Sequence, residues 1–442
     1  MRPIGLRLRL EGGALRRWSL LGAVSILDQG ILSGSNFLVN ILLARWLPAE
    51  EYGAFAVAFA LFLFLSGFHN AVILEPTSVL GPARYPDRLW GYFRSMVFIH
   101  ILLSGTAGMA LAGVAGLLFG SPGVSTGLGP AFMGAGLATP FILFLWLARR
   151  FAYVLRRPWL SLAGSLASLT ISVGVLAVVG ASGAISPLGA FGIMAASSLA
   201  GGIVVLVGTA RAARAEDSDA PGPPVRTVLS ESWHYGRWLA GASTLALASG
   251  QLQTIAAAFV GLEAAAGLRA AQNFALPMAQ SVTAVATLGL PALSADYGKG
   301  ERATMVRKGK LITFGLTSLA ALYALTLFLV RGPLERLIYG GKYASYSGII
   351  ALMLTLPVLA AASSGYSLIL RAGQWPEHYL IATAVSAGVG LTTGLVFPFL
   401  WGVWGAALSV CLSHLAGALA AFRLFRVWEA REVLRVESPV RA

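Results

Sequence analysis

Long apolar runs recur along the whole chain, and only short polar gaps separate them. A helix needs about 20 apolar residues to cross the hydrocarbon core of a membrane, and about twelve runs in this sequence reach that length. The sequence therefore predicts an all-α polytopic membrane protein with about 12 transmembrane helices. The predicted spans are 20–44, 52–74, 95–119, 128–148, 159–180, 188–210, 233–259, 268–293, 311–330, 348–370, 379–400 and 402–424.

The composition excludes the main soluble classes of protein. Hydrophobic residues make up 57% of the 442 residues and charged residues only 11%, whereas soluble domains carry about 25% charged residues. The formal net charge of +14 comes from residues that lie in the gaps between apolar runs. Cations at such positions meet the anionic headgroups of lipids. We therefore expect membrane lipids, and no nucleic acid, as partners.

The distribution of Lys and Arg predicts the orientation in the membrane. Of the 32 Lys and Arg residues, only five fall in gaps on the side opposite the N-terminus; these are Arg45, Arg269, Arg331, Arg336 and Lys342. Cytoplasmic loops carry the excess of basic residues in membrane proteins. The sequence therefore predicts that both termini are cytoplasmic.

The two halves of the chain share landmarks at one nearly constant offset. Parallel repeats of this kind are typical of transporters whose lobes are related by an axis along the membrane normal. We predict a six-helix lobe at 1–210, a polar, proline-rich cytoplasmic linker at 211–230 and a second six-helix lobe at 231–442, related by pseudo-two-fold symmetry. The pairs, offset by 214 to 216 residues, are Gly53 and Gly267, Pro76 and Pro291, Leu155-Arg156 and Leu370-Arg371, Gly189-Ala190 and Gly405-Ala406, and Ser33-Gly34 and Ser249-Gly250.

Polar side chains form stripes on two predicted spans. Those of the first span fall within a face about 60° wide on a helix, and those of the eighth within about 100°. Polar residues inside a span face protein or water, so we predict that both stripes line a substrate cavity. The alternative is hydrogen bonding between neighbouring helices. The residues are Gln29, Ser33, Asn36 and Asn40 on the first span, and Arg269, Gln272, Asn273 and Gln280 on the eighth.

Asp28 is an acidic residue well inside the first predicted span. A carboxylate in a bilayer is costly, and such residues frequently form proton or ion relays. We predict that Asp28 is a site of ion coupling. A structural pair with a nearby arginine, or a side chain that reaches the cytoplasmic surface, is the alternative reading.

Four arginines surround the gap between the fourth and fifth spans: Arg149, Arg150, Arg156 and Arg157. Guanidinium groups bind phosphate oxygens in pairs. We predict a binding site for a phosphate headgroup at the cytoplasmic mouth. Anchoring at the membrane surface is the alternative.

The motifs of ATP-driven and metal-dependent enzymes are absent from the sequence. It contains neither G-x-x-x-x-G-K-[ST] nor H-E-x-x-H, and it has a single cysteine, Cys411, within an apolar run. We therefore expect a secondary transporter rather than an enzyme. We expect no cofactor and no metal, with transport driven by a gradient of H⁺ or Na⁺.

Eight stretches, spread over both halves of the chain, form a recognisable set. They are Asp28-Gln29-Gly30, Ser33-Gly34-Ser35-Asn36, Leu43-Ala44-Arg45-Trp46-Leu47-Pro48, Glu51-Tyr52-Gly53, Gly267-Leu268-Arg269-Ala270-Ala271-Gln272-Asn273, Leu276-Pro277, Leu290-Pro291-Ala292-Leu293-Ser294 and Tyr339-Gly340-Gly341-Lys342-Tyr343. Together they resemble the polysaccharide biosynthesis proteins, which are lipid-linked oligosaccharide flippases (O-antigen translocase type) of the multidrug/oligosaccharidyl-lipid/polysaccharide (MOP) exporter superfamily. The resemblance covers essentially the whole chain and implies a MATE-like, V-shaped bundle of two six-helix lobes in a bacterial inner membrane.

The resemblance also implies a function. We expect translocation of an undecaprenyl-diphosphate-linked saccharide for exopolysaccharide, capsule or O-antigen synthesis, by alternating access. Such a protein works alone or beside a polysaccharide polymerase and a chain-length regulator. Two alternatives stay open: a multidrug or cation exporter of the same fold, and a membrane glycan polymerase or ligase.

Overall fold

The computed structural model describes residues 4–119, 127–214, 222–298, 300–373 and 375–437, and all regular elements in these ranges are helical. The helices are α1 (Ile4–Trp46), α2 (Ala49–His69), α3 (Glu75–Arg84), α4 (Leu89–Leu118), α5 (Leu128–Val154), α6 (Pro158–Ala181), α7 (Pro187–Arg214), α8 (Val225–Val260), α9 (Leu262–Asn273), α10 (Leu276–Gly298), α11 (Arg302–Tyr339), α12 (Ser347–Met353), α13 (Leu356–Ala372) and α14 (Pro376–Glu437).

Nine helical segments within the described ranges are long and apolar enough to cross a membrane. One of them, Glu377–Arg431, covers the last two predicted spans. The predicted spans 233–259 and 268–293 coincide with α8 and with the pair α9 and α10, which lie outside those nine segments. The helices thus account for all the predicted runs, and the protein is an all-α, multi-pass membrane protein.

Several helices are interrupted where a continuous span was predicted. A π-helix, Asn70–Leu74, joins α2 to α3. Pro277 follows the break between α9 and α10, and Pro357 follows the break between α12 and α13. Proline cannot donate an intrahelical hydrogen bond, so it is tolerated at the start of a helix. Within α14, Trp401 and Gly402 are non-helical, and the φ of Gly402 is 57°. This element therefore consists of two helices, 376–400 and 403–437, which match the two separate predicted spans 379–400 and 402–424.

The chain divides into two compact units. The first contains Met1–Trp46 and Leu65–Ser243, and the second contains Leu47–Phe64 and Thr244–Ala442. Both α2 and α8 are therefore shared between the units. The lobe boundary predicted at 211–230 stays a prediction, because residues 215–221 of that linker lie outside the described ranges.

Small residues bring the helices of each unit into close contact. In the first unit, a Cβ added to Gly201 on α7 would lie 2.5 Å from the carbonyl oxygen of Gly164 on α6. In the second unit, Gly365 on α13 is packed directly against the backbone of Gly309 on α11. Small residues at such crossings let membrane helices approach closely enough for backbone contact.

Candidate functional site

The first unit contains a buried ion pair built around Asp28. The side chain of Asp28 is 0% exposed, and that of Arg149 on α5 is 8% exposed. Arg149 Nη2 donates to Asp28 Oδ2 over 2.9 Å, and Arg149 Nε donates to Ser161 Oγ on α6 over 3.1 Å. The structure therefore joins α1, α5 and α6 through one charged pair.

Three hydroxyl groups complete the coordination of the Asp28 carboxylate. Ser161 Oγ donates to Oδ2 over 2.6 Å, Ser165 Oγ donates to Oδ1 over 2.5 Å, and the hydroxyl of Tyr153 also donates to Oδ2. A carboxylate has about four lone-pair sites for hydrogen bonds, and four groups donate to this one, three to Oδ2 and one to Oδ1. We call these five residues (Asp28, Arg149, Tyr153, Ser161 and Ser165) the aspartate cluster.

Asp28 and Arg149 each stand out in the sequence, but the sequence did not identify Arg149 as the arginine that pairs with Asp28. Arg149 and Tyr153 lie one turn apart on α5, as do Ser161 and Ser165 on α6, and that spacing places each pair on one helix face. This spacing was the feature of the sequence that could have revealed the cluster. The pairing is the structural alternative that stayed open for Asp28, so coupling at this residue remains a prediction.

The other predicted residues of the first span lie on one face of the continuous helix α1 but differ in their exposure. Gln29 and Asn36 are exposed, Ser33 is half-buried and Asn40 is buried. Asn40 Nδ2 donates to the carbonyl oxygen of Asn36 over 2.9 Å. The predicted cavity stripe is thus separate from the side of α1 that carries Asp28.

The four arginines of the predicted headgroup site are in different environments. Arg149 is paired with Asp28, and Arg150 Nη2 donates to Asn70 Oδ1 over 3.4 Å. Arg156 is exposed with a φ of 55°, and Arg157 is half-buried; both lie between α5 and α6. A phosphate contact by Arg149 would require its pair with Asp28 to open.

The second unit contains a different polar cluster, centred on α9. Asn273 Nδ2 donates to the hydroxyls of Tyr52 on α2 (3.2 Å) and Tyr339 on α11 (3.3 Å). The Tyr339 hydroxyl donates to the carbonyl oxygen of Ala270 over 3.1 Å. Arg269 hydrogen-bonds Tyr52, and its guanidinium carbon lies 5.4 Å from the centre of the Phe59 ring.

Arg269 has aromatic and phenolic partners and no carboxylate among them in the described part of the chain. Its Nε and the Asn273 Oδ1 are buried and without a hydrogen-bond partner among the described residues. We call Arg269, Asn273, Tyr52, Tyr339 and Phe59 the arginine cluster. It combines an uncompensated positive charge with unused hydrogen-bonding capacity.

The break before α10 divides the predicted stripe of the eighth span. Gln272 is half-buried on α9, whereas Gln280 is exposed on α10. The stripe was predicted for one continuous helix, and the break between Asn273 and Leu276 changes the direction of the later residues. The tyrosines of the arginine cluster were missed because they come from α2 and α11.

The turn after α11 holds Tyr339 in place. Gly340 and Gly341 have φ values of 69° and 85°, and glycine adopts this left-handed region at no steric cost. The chain then returns so that the Tyr343 amide donates to the buried Glu335 over 2.8 Å. This geometry explains why two glycines follow Tyr339.

Two of the histidines of the first unit form a pair that the sequence did not reveal. His69 Nε2 and His100 Nδ1 are 3.0 Å apart, and both rings are buried. Only one of two facing imidazole nitrogens can carry the shared proton. The pair links the end of α2 to α4, directly before the π-helix.

No protein-family model and no curated protein sequence matches the chain. Solved structures do match it. An inward-facing multidrug resistance MATE family transporter of the MOP superfamily aligns over 92% of this chain and 98% of its own, with a TM-score of 0.71 and 13% identity. The chain has a MATE-like fold.

Two further structures support the same fold. Lipid II flippase MurJ, in an inward closed conformation, aligns over 92% of this chain and 87% of its own, with a TM-score of 0.70 and 14% identity. A MATE structure in complex with MaD5 covers 93% of this chain and 95% of its own, with a TM-score of 0.61 and 13% identity. The structural alignments establish the MATE-like fold, but sequence identities this low do not identify the cargo.

Proposed function

We propose that the protein is a flippase that moves a polyprenyl-diphosphate-linked saccharide across the bacterial inner membrane by alternating access. Both termini lie in the cytoplasm in this proposal. The sequence resemblance to lipid-linked oligosaccharide flippases supports it, and so does the structural similarity to a protein described as a lipid II flippase.

The charge balance of the arginine cluster is the observation that carries the proposal. A buried guanidinium without a carboxylate partner favours an anion in its surroundings, and guanidinium groups match phosphate oxygens geometrically. Arg269 has this character, and the free Oδ1 of Asn273 is an acceptor for a sugar hydroxyl. An anionic, hydroxylated cargo suits both groups.

The same balance disfavours the drug-exporter alternative. An exporter of cations needs a negative charge that the cargo can neutralise. The buried carboxylate of Asp28 already has the Arg149 guanidinium at 2.9 Å. A cationic drug would have to displace that arginine, whereas an anionic lipid headgroup meets no such competition at Arg269.

Coupling is the second part of the proposal. We propose that Asp28 exchanges its arginine partner for H⁺ or Na⁺ during the cycle, since its five-residue network offers oxygen ligands from Tyr153, Ser161 and Ser165. Hard cations prefer oxygen ligands of this type. The cycle needs no cofactor and no covalent chemistry by the protein.

The test uses lipid extracts from cells. A strain that lacks the gene receives the wild type, Arg269→Gln, or the control Arg371→Gln, which removes an exposed arginine of the same unit. We expect undecaprenyl-diphosphate-linked oligosaccharide to accumulate without the gene and with Arg269→Gln, and to clear with the wild type and the control. Unchanged lipid-linked sugar together with reduced resistance to cationic dyes would replace this proposal with the drug-exporter reading.

A further inference from the structure

Each unit has an apolar groove on its surface, and the two grooves correspond to each other in the repeat. The first, of about 310 Å³, lies between α4 and α7 and includes Arg94, Phe98 and Leu206. The second, of about 440 Å³, lies among α11, α13 and α14 and includes Lys310, Phe314 and Phe422. All three pairs are 216 residues apart.

Both grooves begin at a cation and continue along apolar side chains. Phe98 and Phe314 are 58% and 72% exposed, and each lies one helical turn after the cation of its groove. In the predicted orientation Arg94 and Lys310 are at the cytoplasmic ends of their helices. A groove of this kind offers a phosphate contact at the membrane surface and a path for an acyl chain below it.

The cations of the two grooves differ in their partners. Lys310 Nζ forms an ion pair with Glu429 Oε1 over 2.8 Å. The position of Glu429 in the first half of the repeat is occupied by the buried Ala213. Arg94 has no hydrogen-bond or ion-pair partner among the residues that the structure describes, so its charge is not compensated there.

Arg214 adds a second positive charge at the same end of the first groove as Arg94. The guanidinium carbon of Arg214, at the end of α7, lies 5.1 Å from the centre of the Trp90 ring, and Trp90 lines the same groove. Tryptophan is enriched at the level of lipid headgroups. Arg94 and Arg214 therefore mark the headgroup end of the groove from α4 and α7.

We propose that the groove between α4 and α7 binds an anionic phospholipid of the cytoplasmic leaflet. Its phosphate contacts Arg94 and Arg214, and one acyl chain packs along Val97, Phe98 and Ile101. Basic sites between helices on the cytoplasmic side bind anionic headgroups in other membrane proteins. The second groove selects less strongly for a charged headgroup, because Lys310 already has the carboxylate of Glu429 as a partner, which it shares with Arg426.

The experiment measures lipid binding to the purified full-length protein in neutral detergent by native mass spectrometry. The ligands are phosphatidylglycerol and phosphatidylcholine with the same acyl chains. A cation near an anionic headgroup contributes about 1 kcal/mol, which corresponds to a factor of about 5 in Kd. We expect phosphatidylglycerol to bind about 5-fold more weakly to Arg94→Gln and about 25-fold more weakly to Arg94→Gln/Arg214→Gln.

The repeat provides the matched control. Lys310→Gln removes the corresponding cation of the second groove, and we expect it to leave the affinity for phosphatidylglycerol unchanged. Phe98→Ser should weaken both lipids alike. Equal weakening by Lys310→Gln, or equal binding of both lipids to the wild type, would overturn the proposal. Displacement of phosphatidylglycerol by a polyprenyl phosphate at lower concentration would also overturn it and assign the groove to the cargo lipid.

Discussion

The aspartate cluster and the arginine cluster differ in their charge balance. In the first unit, Asp28 and Arg149 neutralise each other, and the carboxylate accepts four hydrogen bonds, three at Oδ2 and one at Oδ1. In the second unit, Arg269 lies among tyrosines, an asparagine and a phenylalanine, and its described partners include no carboxylate. The aspartate cluster is neutral overall, whereas the arginine cluster carries a positive charge that no described carboxylate partner balances.

The repeat allows the charged residues of each cluster to be compared with the equivalent positions in the other half of the chain. The positions that correspond to Asp28 and Arg149 are Thr244 and Ser364, and the position that corresponds to Arg269 is Phe55. The two halves therefore share neither set of charges. The difference indicates that the repeat specifies the scaffold, and that the unshared charges perform separate tasks.

The largest effect is expected from separating the charges of the aspartate cluster. Asp28→Asn leaves the buried Arg149 cation without its partner, and Arg149→Gln leaves the buried Asp28 carboxylate without its partner. We expect each variant to lower the free energy of unfolding by about 3–5 kcal/mol. The double variant Asp28→Asn/Arg149→Gln should be destabilised by clearly less than the sum of the two. Unfolding in detergent micelles measures all three, and additive losses would show that the two residues do not act as a pair.

The arginine cluster should respond in the opposite way. Arg269→Gln removes an uncompensated buried cation, so we expect the free energy of unfolding to change by no more than about 1 kcal/mol. Loss of a hydrogen bond to a charged group costs about 1.5–3 kcal/mol, so the half-saturating concentration of lipid-linked saccharide should rise about 10- to 100-fold. Destabilisation as large as that of Asp28→Asn would mean that Arg269 has a structural role.

A smaller effect is expected from the tyrosines around Arg269. Tyr339→Phe removes the donor to the Ala270 carbonyl and one acceptor of Asn273, which should cost about 1 kcal/mol of stability. The control is Tyr346→Phe, whose hydroxyl donates to the Glu263 carbonyl at an exposed contact. Thermal unfolding compares the two variants, and an equal shift would contradict a tightly packed arginine cluster.

The smallest effect is expected at the repeat position of Arg149. Among the residues that the structure describes, Ser364 donates only to the carbonyl oxygen of Ala361 in its own helix, over 2.8 Å. Ser364→Ala should therefore change the free energy of unfolding by less than about 0.5 kcal/mol. The same unfolding assay applies, and a loss near that of Arg149→Gln would show that the halves are functionally alike.

The helices could be predicted from the sequence because apolar length alone specifies a spanning segment. The interruptions were harder to predict. Pro277 was visible as a helix-breaking residue, and the break at Gly402 falls between the predicted spans 379–400 and 402–424. The π-helix Asn70–Leu74 was not predicted, because it depends on how the neighbouring helices pack. The break before Leu276 means that the predicted stripe of the eighth span does not follow one continuous helix.

The candidate sites could be predicted only in part. An intramembrane carboxylate and an intramembrane arginine are rare enough for Asp28 and Arg269 to stand out. Their partners could not be identified, because Arg149 is 121 residues from Asp28, and Asn273 is 221 residues from Tyr52. Contacts over such separations are set by helix packing, and no local pattern encodes them.

The most direct test of the central claim is a flipping assay in sealed proteoliposomes. A polyprenyl-diphosphate-linked saccharide is placed in one leaflet, and its arrival in the other leaflet is measured with a sugar-modifying enzyme that cannot cross the membrane. We predict translocation by the wild type, little translocation by Arg269→Gln and partial recovery with Arg269→Lys. Wild-type vesicles that leave the lipid-linked saccharide in place while they transport a cationic dye would contradict the account.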